Sequence, residues 1–204
     1  MLSETPGIGA ILLAAGASAR LGQPKQLLRW QGQSLLRRAA TTALEAGLSP
    51  VVVVVGSGSE TMTPELNGLG VTIAVNPDWE IGMGSSLRTG LRKLTEIAFP
   101  DGVIVLLCDQ PLVTSAHLRT LVTQYATAPR PAAVAAVASE YADGVLGPPT
   151  LLAAALFPAL LALEGAHGAR VVIQKLPPES VLRVSFPEGA ADIDTVADWG
   201  RMAP

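Results

Sequence analysis

An α/β fold with a mostly parallel twisted sheet and helices on both of its faces is predicted for this chain. Three features carry that expectation. Apolar runs of strand length alternate with helical patterns over the first 125 residues, the order that builds a doubly wound, Rossmann-like three-layer sheet. The runs are continuous, as in the "VVVVV" of Val51 to Val55, which suits strands covered on both sides. Apolar residues make up 49% of the chain but aromatics only 4%, so Ala, Val and Leu must fill the interior.

Taken in order, strands are expected at Ile8–Ala14, Val51–Val55, Val71–Val75, Val103–Leu107 and Ala132–Ala138. Between the first two lies a helical pattern over Ser34–Ala46, with Ser34 as its N-cap and Gly47 as its stop. Further helices are expected at Ser85–Ile97, Ser115–Tyr125, Leu151–Leu163 and Thr195–Met202. The final third is less regular, and Pro177, Pro178 and Pro187 divide it into short pieces. No repeat, linker or low-complexity tail interrupts the pattern, and 204 residues read as a single domain.

A net charge of −3 gives no general pull toward nucleic acid or an acidic membrane, so neither is expected as a partner. Any anionic ligand must be held by a local site. The single cysteine, Cys108, excludes an internal disulfide framework and a multi-cysteine zinc site. No apolar run is long enough to cross a bilayer. Ile8–Ala15 is apolar, but the seven residues before it carry Glu4 and no Lys or Arg, the wrong start for a secretion signal. A cytoplasmic location is the expectation.

The loop after the first strand carries the first functional signal. In an open parallel sheet, ligands sit beyond the carboxyl ends of the strands, where this loop opens. Gly16 and Gly22 let backbone approach a ligand, and consecutive N–H groups can cradle phosphate oxygens. Arg20 adds a planar fork and Lys25 a point charge, with Pro24 stiffening the chain before it. Two familiar phosphate loops do not fit. Gly22 is followed by Gln23, Pro24 and Lys25 rather than directly by Lys, and Gly16 by Ala17 and Ser18 rather than the G-x-G of a dinucleotide fingerprint. Asp109, in "CDQP" after the fourth strand, emerges at the same edge. Beside a polyphosphate it suits Mg²⁺; alone, it equally suits a cap on the turn before Pro111.

"LAAGASARLGQPKQLL", starting at Leu13, resembles the signature of nucleotidyltransferases that make activated sugars and cofactors. It is most similar to the MocA/MobA-like branch, close to molybdenum cofactor cytidylyltransferase. Four more segments match that branch in order: "NPDWEIGMGSSLRTGL" from Asn76, "LLCDQPLV" from Leu106, "GAHGAR" from Gly165 and "DIDTVADW" from Asp192. The resemblance implies a nucleotide-diphospho-sugar transferase type of fold. It also implies a nucleotide-binding part over about 8–125 and an acceptor-side part over about 126–204.

What the resemblance implies for residues is specific. Ser86 and the backbone of Ala14 and Ala15 would read the cytosine edge, with Gly16 and Gly84 lending bare backbone. Arg20 and Lys25 would stabilise the transition state and the leaving pyrophosphate. Asp192 would be the second metal ligand, with Asp194 as the alternative; Asp194 or Thr195 also fits a cap on the last helix. Ser85 fits an N-cap equally well, and Trp79 and Met83 fit either a staple or a pocket rim. Gly147, Pro148, Gly168 and Arg170 fall on the acceptor side. Two departures from the family pattern stand there: His167 where an acidic or polar residue is common, and Leu146 where a basic or polar one is.

Cys108 reads as a small core residue and His117 as a surface position on a helix. Neither histidine has a recognisable carboxylate partner, and no activated Ser or Cys pattern is present. Nucleotidyl transfer to a phosphate needs none, because the acceptor is already anionic and the work is positioning and charge neutralisation. The expected reaction is CMP transfer from CTP to a phosphorylated, molybdopterin-type acceptor with Mg²⁺, for which Mn²⁺ can substitute. A molybdenum hydroxylase is the partner this implies. GTP as donor, and a non-catalytic nucleotide-binding maturation factor, are the alternatives.

Overall fold

The computed structural model describes residues 6–18, 20–128, 133–165 and 167–202. A seven-stranded sheet forms its centre, built from β1 (Ile8–Ala14), β2 (Val51–Val55), β3 (Thr72–Val75), β4 (Gly102–Leu107), β5 (Ala136–Glu140), β6 (Leu146–Ala153) and β7 (Val181–Ser185). The strand order is β3-β2-β1-β4-β6-β5-β7. All pairings are parallel except the two made by β6, which runs antiparallel between β4 and β5.

Side chains of β1 alternate across the sheet, as strand geometry requires. Ala10, Leu12 and Ala14 meet Leu36 and Ala40 of α1 (Leu35–Glu45) and Leu118 and Leu121 of α3 (Ser115–Ala126). Ile11 and Leu13 meet Leu87, Leu91 and Leu94 of α2 (Met83–Ile97), joined by Phe157 and Leu160 of α4 (Phe157–Leu161). Two dry layers therefore flank the sheet. The bounds of β1 and β2 coincide with the expected runs, and Ser34 caps α1 by accepting a hydrogen bond from Arg37 N–H at 3.2 Å.

Two expectations fail in the final third. Leu151–Leu163 is not one helix: its first residues complete β6, a single 3-10 turn follows, and α4 is short. Val103 pairs with Leu152 and Ile104 with Leu151, so this apolar run lies between two strands with both faces covered. Periodicity cannot separate such a strand from a buried helix segment. The expected strand at Ala132–Ala138 lies at Ala136–Glu140 instead, and Ala132 falls outside the described residues. With β7, the supposedly irregular third supplies three strands.

A small third cluster is decisive for the site. Leu21 and Leu28 from the first loop, Trp30 and Leu35 bury Ile193, with Trp199 and Met202 of α5 (Val196–Met202) packed against them. Trp30 and Trp199 meet at 6.3 Å between ring centroids. This apolar clasp draws the C-terminal segment onto the loop after β1.

Candidate active site

The loop after β1 is held in shape by a residue the sequence reading passed over. Gln26 is buried, and its Nε2 donates to the carbonyls of Ala14 at 2.8 Å and Gly16 at 2.7 Å. Ser18 Oγ donates to Gln26 Oε1 at 3.2 Å and accepts from Lys25 N–H at 3.1 Å. The two side chains fold the loop so that Lys25 faces inward. Gln26→Leu is expected to leave two carbonyls unpaired, lower stability by about 1–3 kcal/mol and weaken nucleotide binding. Thermal melts and nucleotide titration check it; unchanged values in both would remove the loop-setting role.

Lys25 joins the two acidic segments. Its ammonium contacts Asp109 Oδ2 and lies 2.8 Å from Asp194 Oδ1. Burial alone would lower the Lys25 pKa, but the charges and hydrogen bonds of Asp109 and Asp194 outweigh it and raise it above the ordinary range. Arg20 pairs with Asp194 Oδ2 at 2.6 Å from an exposed position at the loop edge. Asp194 feels burial pushing its pKa up, yet Lys25 and Arg20 hold it below the usual carboxylate value.

The remaining carboxylate oxygens are those a cation would need. Asp109 is only 8% exposed, and its Oδ1 is buried without a hydrogen-bond partner among the described residues. Among the described residues, no side chain hydrogen-bonds to the Asp192 carboxylate. Partial burial, then repulsion from Asp194 and Asp109, pushes its pKa up. The N–H of Ile193 donates to the Asp109 carbonyl at 3.0 Å, so the two acidic segments are tied by backbone. Ile193 is buried while its two acidic neighbours are not. Among the described residues no three His, Cys, Asp or Glu side chains gather as a complete metal shell. Two carboxylates completed by phosphate oxygens and water is the set that magnesium takes, and the orphaned Asp109 oxygen fits that role.

Above these groups lies a cleft of about 310 Å³ lined by Ala14, Ala15, Gly16, Lys25, Ser86 and Asp109, among others. The carbonyls of Ala14 and Ala15 are already engaged, by Gln26 and by Ser57 N–H. Each has only its second lone pair for a ligand. Trp79 and Met83 also line the cleft, and Trp79 packs against the core as well. Ser85 does not cap α2, which begins two residues earlier; its hydroxyl donates to the Gly82 and Asp78 carbonyls. Cys108 is buried in the cleft wall, where burial and then Asp109 push its thiol up to about 12.

A second cavity of about 500 Å³ lies beside the first, and Met83 and Leu107 line both. Its lining includes all four residues placed on the acceptor side, Gly147, Pro148, Gly168 and Arg170, together with Leu146 and His167. Missing side chains keep the elements close here. A Cβ on Gly84 would stand 2.8 Å from the His167 carbonyl, backbone that cannot give way, and one on Gly168 would stand 2.5 Å from Met83 Sδ, so that the Met83 side chain would have to shift. His117 lies elsewhere and is not a surface residue: it is half-buried, stacked on Phe186 at 4.4 Å and hydrogen-bonded to Ser139 Oγ at 2.8 Å. The polar end of α3 is covered by the irregular last third, which its helical spacing alone does not show.

Residues 10–181 match the model of the MobA-like NTP transferase domain. The chain belongs to the MobA-like NTP transferase family. Nicotine blue oxidoreductase of Paenarthrobacter nicotinovorans is 33% identical, covering 98% of both chains. The purine catabolism protein PucB of Bacillus subtilis is 31% identical, covering 96% of both. Among solved structures, Rv0371c of Mycobacterium tuberculosis is 28% identical with a TM-score of 0.76, covering 96% of each chain. A structure of Rv0371c in complex with manganese matches at 27% identity and the same TM-score, over 96% of this chain and 97% of that one. The MobA-like architecture, a mostly parallel sheet with helices on both faces, is thus the one the sequence pattern predicts.

Proposed function

We propose that this protein is a divalent-metal-dependent cytidylyltransferase that moves CMP from CTP onto the phosphate of a molybdopterin-type acceptor and releases pyrophosphate. The observation that carries it is the adjacency of two cavities. One is lined by Lys25 and the orphaned Asp109 carboxylate, the other by the acceptor-side loops, and Met83 and Leu107 line both. Asp109 and Asp192 would hold Mg²⁺ or Mn²⁺, which when bound neutralises triphosphate charge. Lys25 stabilises the charge that builds on the α-phosphate and the departing pyrophosphate, with Arg20 behind it at the loop edge. The acceptor phosphate oxygen attacks the α-phosphorus as the bond to pyrophosphate breaks. No general base is needed, because that oxygen is already ionised. A molybdenum hydroxylase would receive the product.

The donor preference follows from the cleft. Ala15 lines the cleft with one methyl group more than the glycine that the family resemblance implies at this place in guanylyl-transferring members. CTP is therefore expected to exceed GTP by at least about tenfold in kcat/KM, roughly 1.4 kcal/mol, which one steric mismatch supplies. Ala15→Gly should narrow the gap. Pyrophosphate release measured with each NTP, with and without molybdopterin, tests both donor and acceptor. Equal use of GTP moves the chain to the guanylyl branch. Nucleotide binding without release makes it a maturation factor.

One observation favours a second reading: a relative similar over nearly its whole length is named an oxidoreductase. Reduction of a substrate by an added nicotinamide cofactor, with no pyrophosphate released from any NTP, would establish it.

A further inference from the structure

A polar cluster behind the cleft biases the hydrogen-bond polarity of Ser86. Asn76 follows β3 and is 2% exposed. Its Oδ1 accepts from Asp78 N–H at 3.1 Å. A backbone N–H can only donate, so the amide is held one way round, with Nδ2 toward α2. Nδ2 donates to Ser85 Oγ at 2.9 Å and to Ser86 Oγ at 3.0 Å. Ser85 passes its own proton to the Gly82 and Asp78 carbonyls. The Ser86 proton has no acceptor among the described residues, and Ser86 lines the cleft.

We propose that Asn76 is a positioning residue that occupies one Ser86 lone pair and leaves the Ser86 proton in need of an acceptor, which favours Ser86 as donor toward the base, so that the cleft prefers an unprotonated ring nitrogen over a ring N–H. This rests on reading the cleft as the site of a pyrimidine triphosphate. Cytosine offers a bare N3 to such a donor. Uracil offers N3–H, which sets donor against donor and leaves a buried polar group unpaired. Wild-type protein should therefore bind CTP at least about tenfold more tightly than UTP, the size of effect that one unpaired buried group produces.

Calorimetric titration of CTP and UTP, with Mg²⁺ and without acceptor, tests this. Asn76→Asp keeps the side-chain shape and the bond from Asp78 N–H, but accepts where the amide donated. Ser86 then turns its proton inward and presents a lone pair to the base. The CTP-to-UTP preference should fall by at least about tenfold, with UTP gaining affinity in absolute terms. A damaged fold would weaken both nucleotides and give no such gain. If circular dichroism shows Asn76→Asp unfolded, a double-mutant cycle of Asn76→Ala and Ser86→Ala replaces it. Ser86→Ala should remove the preference, and Asn76→Ala should change the ratio no further in that background. An unchanged ratio in folded Asn76→Asp, or additive effects in the cycle, overturns the role of Asn76. Wild-type protein that binds no triphosphate would instead remove the donor-site reading itself.

Discussion

Lys25→Ala is expected to lower kcat about 100- to 1000-fold, the loss that follows removal of one donor to a developing charge. A cation on a glycine-bearing loop is expected to matter far more to activity than to the fold, but part of its effect here falls on stability. In the structure, the Lys25 and Asp109 side chains are only 17% and 11% exposed. Removing the ammonium leaves a nearly buried carboxylate without its partner, at a cost of about 1–3 kcal/mol. The double variant Lys25→Ala with Asp109→Asn should recover melting temperature and stay inactive. Pyrophosphate release and thermal melts on the same preparations separate the two roles. Wild-type turnover in Lys25→Ala would end the phosphate-cradle assignment.

Chelation by EDTA is expected to bring pyrophosphate release to background, and Mg²⁺ or Mn²⁺ to restore it, since both suit hard oxygen ligands. On the proposed metal site, the acidic residues divide between two tasks. Asp192→Asn removes a carboxylate that pairs with no side chain among the described residues. It should raise the metal concentration for half-maximal rate by at least the roughly 10- to 100-fold that loss of an outer-shell partner costs, and leave the fold unchanged. Asp194→Asn breaks the contacts to Lys25 and Arg20, so it should lower kcat at an unchanged metal requirement. Direct Mn²⁺ titration distinguishes them. Turnover that persists in EDTA would sink the metal assignment, and reversed behaviour of the two variants would exchange their roles.

Several elements were legible because their causes are local. The run Ile8–Ala14 is apolar at every position and forms β1 over those bounds. Ser34 caps α1 because its oxygen needs only a backbone N–H three residues on. Thr195 and Asp198 form a reciprocal capping box on the same principle, with Asp198 Oδ2 accepting from Thr195 N–H at 2.8 Å. Gln26 and Asn76 escaped notice for the opposite reason. A polar residue in a loop is ordinarily solvated, and nothing in its neighbours tells which carbonyl or hydroxyl will bury it. The one signal was Gln26, a polar residue directly before the apolar pair Leu27 and Leu28.

By itself, the sequence determined that buried strands alternate with amphipathic helices, and hence that the loops after β1 and β4 open at one edge of a parallel sheet. It therefore determined that Lys25 and Asp109 share a site. Only the tertiary structure decided the rest of the acidic cluster. Burial of Ile193 against Trp30 and Leu28 brings Asp192 and Asp194 to Asp109, and it gives Asp194 rather than Asp192 to Lys25. Only the tertiary structure made 146–153 a strand, because pairing with β4 on one side and β5 on the other satisfies its backbone. Local pattern sets which face of a segment is apolar. The partner that covers that face is chosen by long-range packing, which no window of sequence contains.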